Sequence, residues 1–186
     1  TRATRTPDGR MHPFDDVPGA VGLERHGARV FHATDAQLLL EDLFFVSGEI
    51  PRVTKFETGL PNHYRRTEDG SGWEPDPLIA DERFVAVRLK DKGVFVVTAC
   101  SHAGVINVLT HARDCFPGQM LHGVMGGFHL SGSTEKIIPE TVDAMRAFNL
   151  KTIAAGHCTG WRAIGALTSA FGHAVVPSAV GMTFRL

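Results

Sequence analysis

Val94-Phe95-Val96-Val97-Thr98-Ala99-Cys100-Ser101-His102 sets the plan of this chain. A nearly unbroken apolar run, the pattern of a strand covered on both faces, stops at small residues and delivers a histidine. The plan recurs twice, in Leu121-His122-Gly123-Val124-Met125-Gly126-Gly127-Phe128-His129 and in Thr152-Ile153-Ala154-Ala155-Gly156-His157-Cys158. A helical pattern follows each run, and the three terminal histidines come at nearly equal steps. In an α/β sheet, ligand groups gather just beyond the carboxyl ends of the strands. His102, His129 and His157 therefore point to one shared metal or phosphate site. A single histidine in such a place would more often cap a helix or satisfy a core polar group.

The helices that follow have legible stripes. The first is expected from about Ala103 to Arg113, capped by Ser101 and buried through Val105, Val108, Leu109 and Ala112. The second starts near Pro139, with Ile138, Val142, Met145 and Phe148 inward. Thr159 caps the third, whose stripe is Trp161, Ile164, Leu167 and Phe171, and Gly172 closes it. Phe84–Lys90 and Gly93–Thr98 form a hairpin across Asp91-Lys92-Gly93, and 174–176 and 182–186 read as terminal strands. The class is α/β.

Upstream the signals weaken. Residues 1–22 alternate Arg, Thr, Pro and Gly and read as an irregular arm, leaving 23–186 as one domain. Residues 23–46 suggest two or three short strands, around Ala28–Phe31 and Leu43–Val46. Ser47-Gly48-Glu49-Ile50-Pro51-Arg52 is a turn whose charges are either solvated or place substrate. Residues 58–82 are a long loop, and Tyr64 and Trp73 favour an ordered, lid-like segment.

Composition excludes several classes. A net charge of −1 gives no electrostatic case for nucleic acid or an anionic membrane. No apolar run approaches the roughly 20 residues that span a bilayer, and no apolar stretch follows the N-terminal arginines as in a secretory signal. Three widely spaced cysteines make no disulfide framework, so a reducing, cytoplasmic setting is expected. The chain begins at Thr1, not Met, in a polar stretch, as a processed or truncated piece of something longer would.

Neutral imidazole is the commonest protein ligand for zinc and related ions, and catalytic zinc keeps an open position. The helix starts after His102 and His157 add N–H groups that suit an anion. Ser101, Gly127 and Thr159 are candidates for that cradle, and Glu49 and Arg52 for a substrate-positioning loop. Cys100 ends a buried strand and reads as an inert core thiol. Cys158 has three readings: packing, a metal-facing thiolate or a reactive thiol.

At these motifs the sequence resembles the metallo-β-lactamase superfamily, and within it the branch of 7,8-dihydropterin-6-yl-methyl-4-(β-D-ribofuranosyl)aminobenzene-5′-phosphate synthase. The residues that carry the resemblance are Ser47–Arg52, Asp76-Pro77 with Asp81-Glu82, Ala99-Cys100-Ser101-His102-Ala103-Gly104 with Asn107, Gly126–Leu130 and Gly156-His157-Cys158-Thr159-Gly160, over about residues 28–186. The resemblance implies the C-terminal half of an αβ/βα sandwich with one or two zinc ions, manganese or iron being alternatives. It implies that His102 and His157 are ligands. His129 stands where many members have a bridging aspartate and is a ligand or a phosphate contact. The signature His-x-His-x-Asp-His occurs nowhere in these residues. The expectation is a metal-dependent, hydrolase-like protein for a phosphate-bearing or other anionic small molecule. It would be completed by an N-terminal-half polypeptide or cover its open sheet by self-association. The rival expectation is a non-catalytic binding or assembly subunit that keeps the fold.

Overall fold

The computed structural model describes residues 1–186. In chain order the elements are β1 (Arg2–Arg5), β2 (Met11–Pro13), α1 (Ala20–Arg25), β3 (Gln37–Leu39), β4 (Phe44–Val46), β5 (His63–Arg66) and β6 (Trp73–Pro75). There follow β7 (Phe84–Leu89), β8 (Gly93–Thr98), α2 (Val105–Cys115), β9 (Leu121–Gly127), α3 (Ile138–Met145), β10 (Thr152–Gly156) and α4 (Trp161–Phe171). The chain divides into two compact units: Thr1–Ala33 with Gly59–Ile79, and Thr34–Thr58 with Ala80–Leu186.

The smaller unit is an antiparallel sheet in the order β2-β1-β5-β6. Ala3 pairs with Pro13 on one side and Tyr64 on the other, and is fully buried. Arg2 Nε donates to Asp76 Oδ2 at 2.8 Å, and the Arg66 guanidinium lies 4.4 Å from the centre of the Trp73 ring. Residues 1–22, expected to be an irregular arm, thus supply two strands and the start of α1. The expected loop 58–82 supplies β5, which pairs with β1, and β6, which pairs with β5. The two units meet in the chain at Ala33–Thr34, Thr58–Gly59 and Ile79–Ala80.

The larger unit is a mixed sheet in the order β10-β9-β8-β7-β4-β3. β8, β9 and β10 are parallel neighbours, and the rest pair antiparallel. The three histidine-bearing runs are therefore adjacent strands that end on the same edge. Val94, Val96, Val124 and Ile153 are buried in one core with Val105, Val108 and Leu109 of α2, Met145 of α3 and Leu167 of α4. Alternation turns Val97 away from that core, and it is 36% exposed, so β8 is not covered throughout.

Three local expectations change. No strand forms at 28–31. Near the C-terminus Val175 makes only an isolated bridge to Ile153. In α4 the buried line is Ala163 and Leu167, with Trp161 75% exposed. Ala163 is fully buried, and the Arg162 guanidinium lies over the Trp161 ring on the exposed side. No helix is long and apolar enough to cross a membrane.

Candidate metal centre

β8 ends at Thr98, whose hydroxyl shares a 3.0 Å hydrogen bond with that of Ser101. Ser101 is buried, with a positive φ of 55°. This tight turn brings both Cys100 and His102 against His129. β9 ends at Gly127, whose N–H donates to Ala99 O at 3.0 Å and ties the two strand ends together. Beyond β10, a 3-10 turn (His157–Thr159) carries Cys158 back toward them. Thr159 holds that turn: its hydroxyl donates to Gly156 O at 2.6 Å and accepts from Phe128 N–H at 3.1 Å.

The result brings Cys100, His129 and Cys158 together, with one ligand atom from each within 4.8 Å of the others. Cys100 Sγ lies 2.9 Å from Cys158 Sγ and 3.2 Å from His129 Nδ1. The backbone N–H of His129 donates to Cys158 Sγ at 3.2 Å. The His102 and His129 rings meet edge to face, centroids 4.9 Å apart. His157 is exposed, and its ring hydrogen-bonds to Cys158. His129 and His157 both have positive φ (44° and 50°), a strained setting for a residue with a side chain.

Gly127 makes the cluster possible. A Cβ there would lie 2.8 Å from Cys158 Sγ and 3.0 Å from His157 Nδ1. Gly127 is a candidate for the anion cradle in the sequence; in the fold it is the cysteine and histidine of the next strand end that lie against it.

The two thiols hold their protons unequally. The hydrogen bond from Cys100, then those of His129 and His157, push the Cys158 thiol down to about 3 against the opposing effect of burial. The same partnership, with burial and the Glu82 charge, pushes Cys100 up. Of the pair, Cys158 is the thiol that gives up its proton more readily.

Sequence reasoning set Cys100 aside as an inert core thiol; it is a member of the cluster, because Ser101 turns the chain one residue later. Ser101 and Thr159, expected to face an anion, spend their hydroxyls inside the fold. The α2 N-terminus, expected to hold an anionic ligand, already holds two carboxylates of the chain itself. Glu82 accepts from His102 N at 2.7 Å and Ala103 N at 2.6 Å. Glu57 accepts from Ile106 N and Asn107 N, each at 2.8 Å. Glu82 Oε1 also lies 3.4 Å from His102 Nδ1, where it orients that ring. Gly104 makes room for Glu57, since a Cβ there would run into the carboxyl group. Glu57 is buried, and desolvation pushes its carboxyl up to about 7 despite the donors and the Arg52 charge. Arg52 is half-buried, its Nη1 donates to Ile50 O at 3.2 Å, and Glu49 is exposed.

A solved metal-dependent hydrolase of the β-lactamase superfamily matches 100% of this chain and 66% of its own, with a TM-score of 0.81 at 22% identity. The fold is that of the metallo-β-lactamase superfamily. In sequence, the chain is 32% identical over 85 residues to 7,8-dihydropterin-6-methyl-4-(β-D-ribofuranosyl)-aminobenzene-5′-phosphate synthase of Methanocaldococcus jannaschii, covering 46% of this chain and 29% of that protein. It is 30% identical over 123 residues to an uncharacterized protein of the same organism, covering 66% of this chain and 43% of that one. The chain thus spans less than half the length of either curated relative. No family model matches the sequence. The metallo-β-lactamase fold and the Cys100–His129–Cys158 group both suit a metal.

Proposed function

We propose that this chain supplies the metal-holding strand ends of a hydrolase-like protein that acts on a phosphate-bearing or other anionic small molecule. The observation behind the reading is the convergence of Cys100, His129 and Cys158 within 4.8 Å at the ends of three parallel strands. Two sulfurs and an imidazole nitrogen suit zinc, and favour it over manganese, which prefers oxygen donors. A zinc ion held there supplies Lewis acidity toward a phosphoryl or related oxygen.

The chain's own residues do the rest. Cys158 enters as the thiolate, and the backbone N–H of His129 steadies it. The positive-φ turns at Ser101 and His157 flank Cys100 and Cys158, and Gly127 leaves room for the Cys158 sulfur. His102, oriented by Glu82, and His157 adjoin the group and offer donors for a second ion or for the substrate's anion. Arg52, on the segment after β4, is a candidate cation for that anion, and the charges of Glu82, Glu49 and Glu57 act on it there. Because His-x-His-x-Asp-His is missing from these residues, turnover requires a segment that supplies it. That absence also favours the second reading, a subunit that binds metal and ligand without turnover.

Metal content tests the first step. The purified protein loaded with zinc and desalted is expected to retain about one equivalent, as a three-ligand site does. His129→Ala and Cys158→Ser are each expected to lose it. Wild-type protein that retains no zinc overturns the metal reading. Phosphate-ester hydrolysis that appears only when the missing motif is supplied separates an enzyme from a binding subunit.

A further inference from the structure

We propose that Cys100 and Cys158 form a reversible dithiol–disulfide couple that closes the site on oxidation. Their sulfurs stand 2.9 Å apart, so closure to a disulfide of about 2.05 Å asks for less than an ångström of movement. The two cysteines are 58 residues apart and come from different strand ends, and Gly127 leaves room for the Cys158 sulfur to come in. Both are half-buried, so neither is sealed off from solvent. The third cysteine, Cys115 on α2, packs against the core with its sulfur 3.8 Å from His111 Nε2, and serves as an internal control.

The surroundings assign each sulfur a role. Cys158 accepts the N–H of His129, which suits it to be the attacking sulfur. It attacks a low-molecular-weight disulfide such as glutathione disulfide, forming a mixed disulfide and releasing one small thiolate. Cys100 gives up its proton to that thiolate or to His129 Nδ1, 3.2 Å away, and attacks Cys158 Sγ. The second small thiol leaves. The two protein thiols have then lost two electrons and two protons, and the small disulfide has become two thiols. Reduction by excess thiol runs the same steps backward.

The couple stands on geometry alone and needs no metal. If the metal reading holds, it adds a consequence. The disulfide removes two of the three donors, so oxidation and metal loading exclude each other.

Intact-mass spectrometry with peptide mapping tests this on the reduced, metal-free protein treated with glutathione disulfide. The expected product is smaller by two hydrogens, linked between 100 and 158, free at Cys115, and returned to three thiols by dithiothreitol. Cys100→Ser is expected to stop at a stable glutathione adduct on Cys158. Three unreacted thiols, adducts without an internal bond, or a bond to Cys115 in the wild type would each overturn the couple. A second arm repeats the oxidation after zinc loading, where the internal bond is expected to form more slowly. Zinc that binds while no disulfide forms under any condition refutes the couple and spares the metal reading. A disulfide with no zinc bound in either arm refutes the metal reading and supports the couple.

Discussion

Glu57 is a carboxylate buried at the start of α2, with two backbone N–H groups pointed at it. Burial outweighs them and sets its pKa near 7, against an ordinary value of 4.5. A raised folded-state value means that the folded protein binds the proton more tightly than the unfolded chain does. The associated stability is full below pH 4.5 and is lost as pH rises through 7. The difference in unfolding free energy between wild type and Glu57→Gln is therefore expected to fall by about 3 kcal/mol from pH 4.5 to pH 8, an order-of-magnitude figure. Urea denaturation across that range measures it, and a flat difference would show that the donors win. In the sequence Glu57 reads only as one of the charges near the Ser47–Arg52 turn; its burial against α2 is not legible, because its backbone partners lie 49 and 50 residues away and only Gly104 hints at the close approach. Cys100 was misjudged for a related reason: burial at a strand end was legible, but the left-handed turn at Ser101 was not.

Among the elements, β8, β9, β10 and α2 were readable because each carries a strong local period. α3 was readable because Pro139 marks its start. α4 was found, but its inward face was assigned to the largest residues. Leu167 is fully buried and Trp161 mostly exposed. Leu167→Ala is expected to cost about 2–5 kcal/mol, and Trp161→Ala within about 0.5 kcal/mol, by chemical denaturation. Equal costs would restore the larger stripe. At the end of β9, Gly127→Ala would press a methyl against Cys158 Sγ and His157. It is expected to cost about 1–3 kcal/mol and to weaken zinc binding, read by denaturation and competition titration. Unchanged zinc affinity would show that the three donors need no such close approach.

At the scale of the whole molecule, the larger unit announced itself as α/β and the smaller unit did not. The strand–helix recurrence of residues 93–171 repeats within short sequence distances, so its parallel order followed from the pattern. β1 pairs with β5 across some sixty residues, with only Ala3 turned inward among polar neighbours. Alternation that faint leaves a strand looking like an arm. Histidines at three strand ends were enough to place a site at one edge of the sheet, but not to say which donors meet there. That depended on how each chain segment turns after its strand, and the turns exchanged two of the three expected imidazoles for sulfurs in the tightest group. Zinc K-edge X-ray absorption on the loaded, reduced protein tests this most directly. The Cys100–His129–Cys158 centre predicts two sulfur scatterers at about 2.3 Å with nitrogen at about 2.0 Å. A first shell of nitrogen and oxygen alone would contradict it.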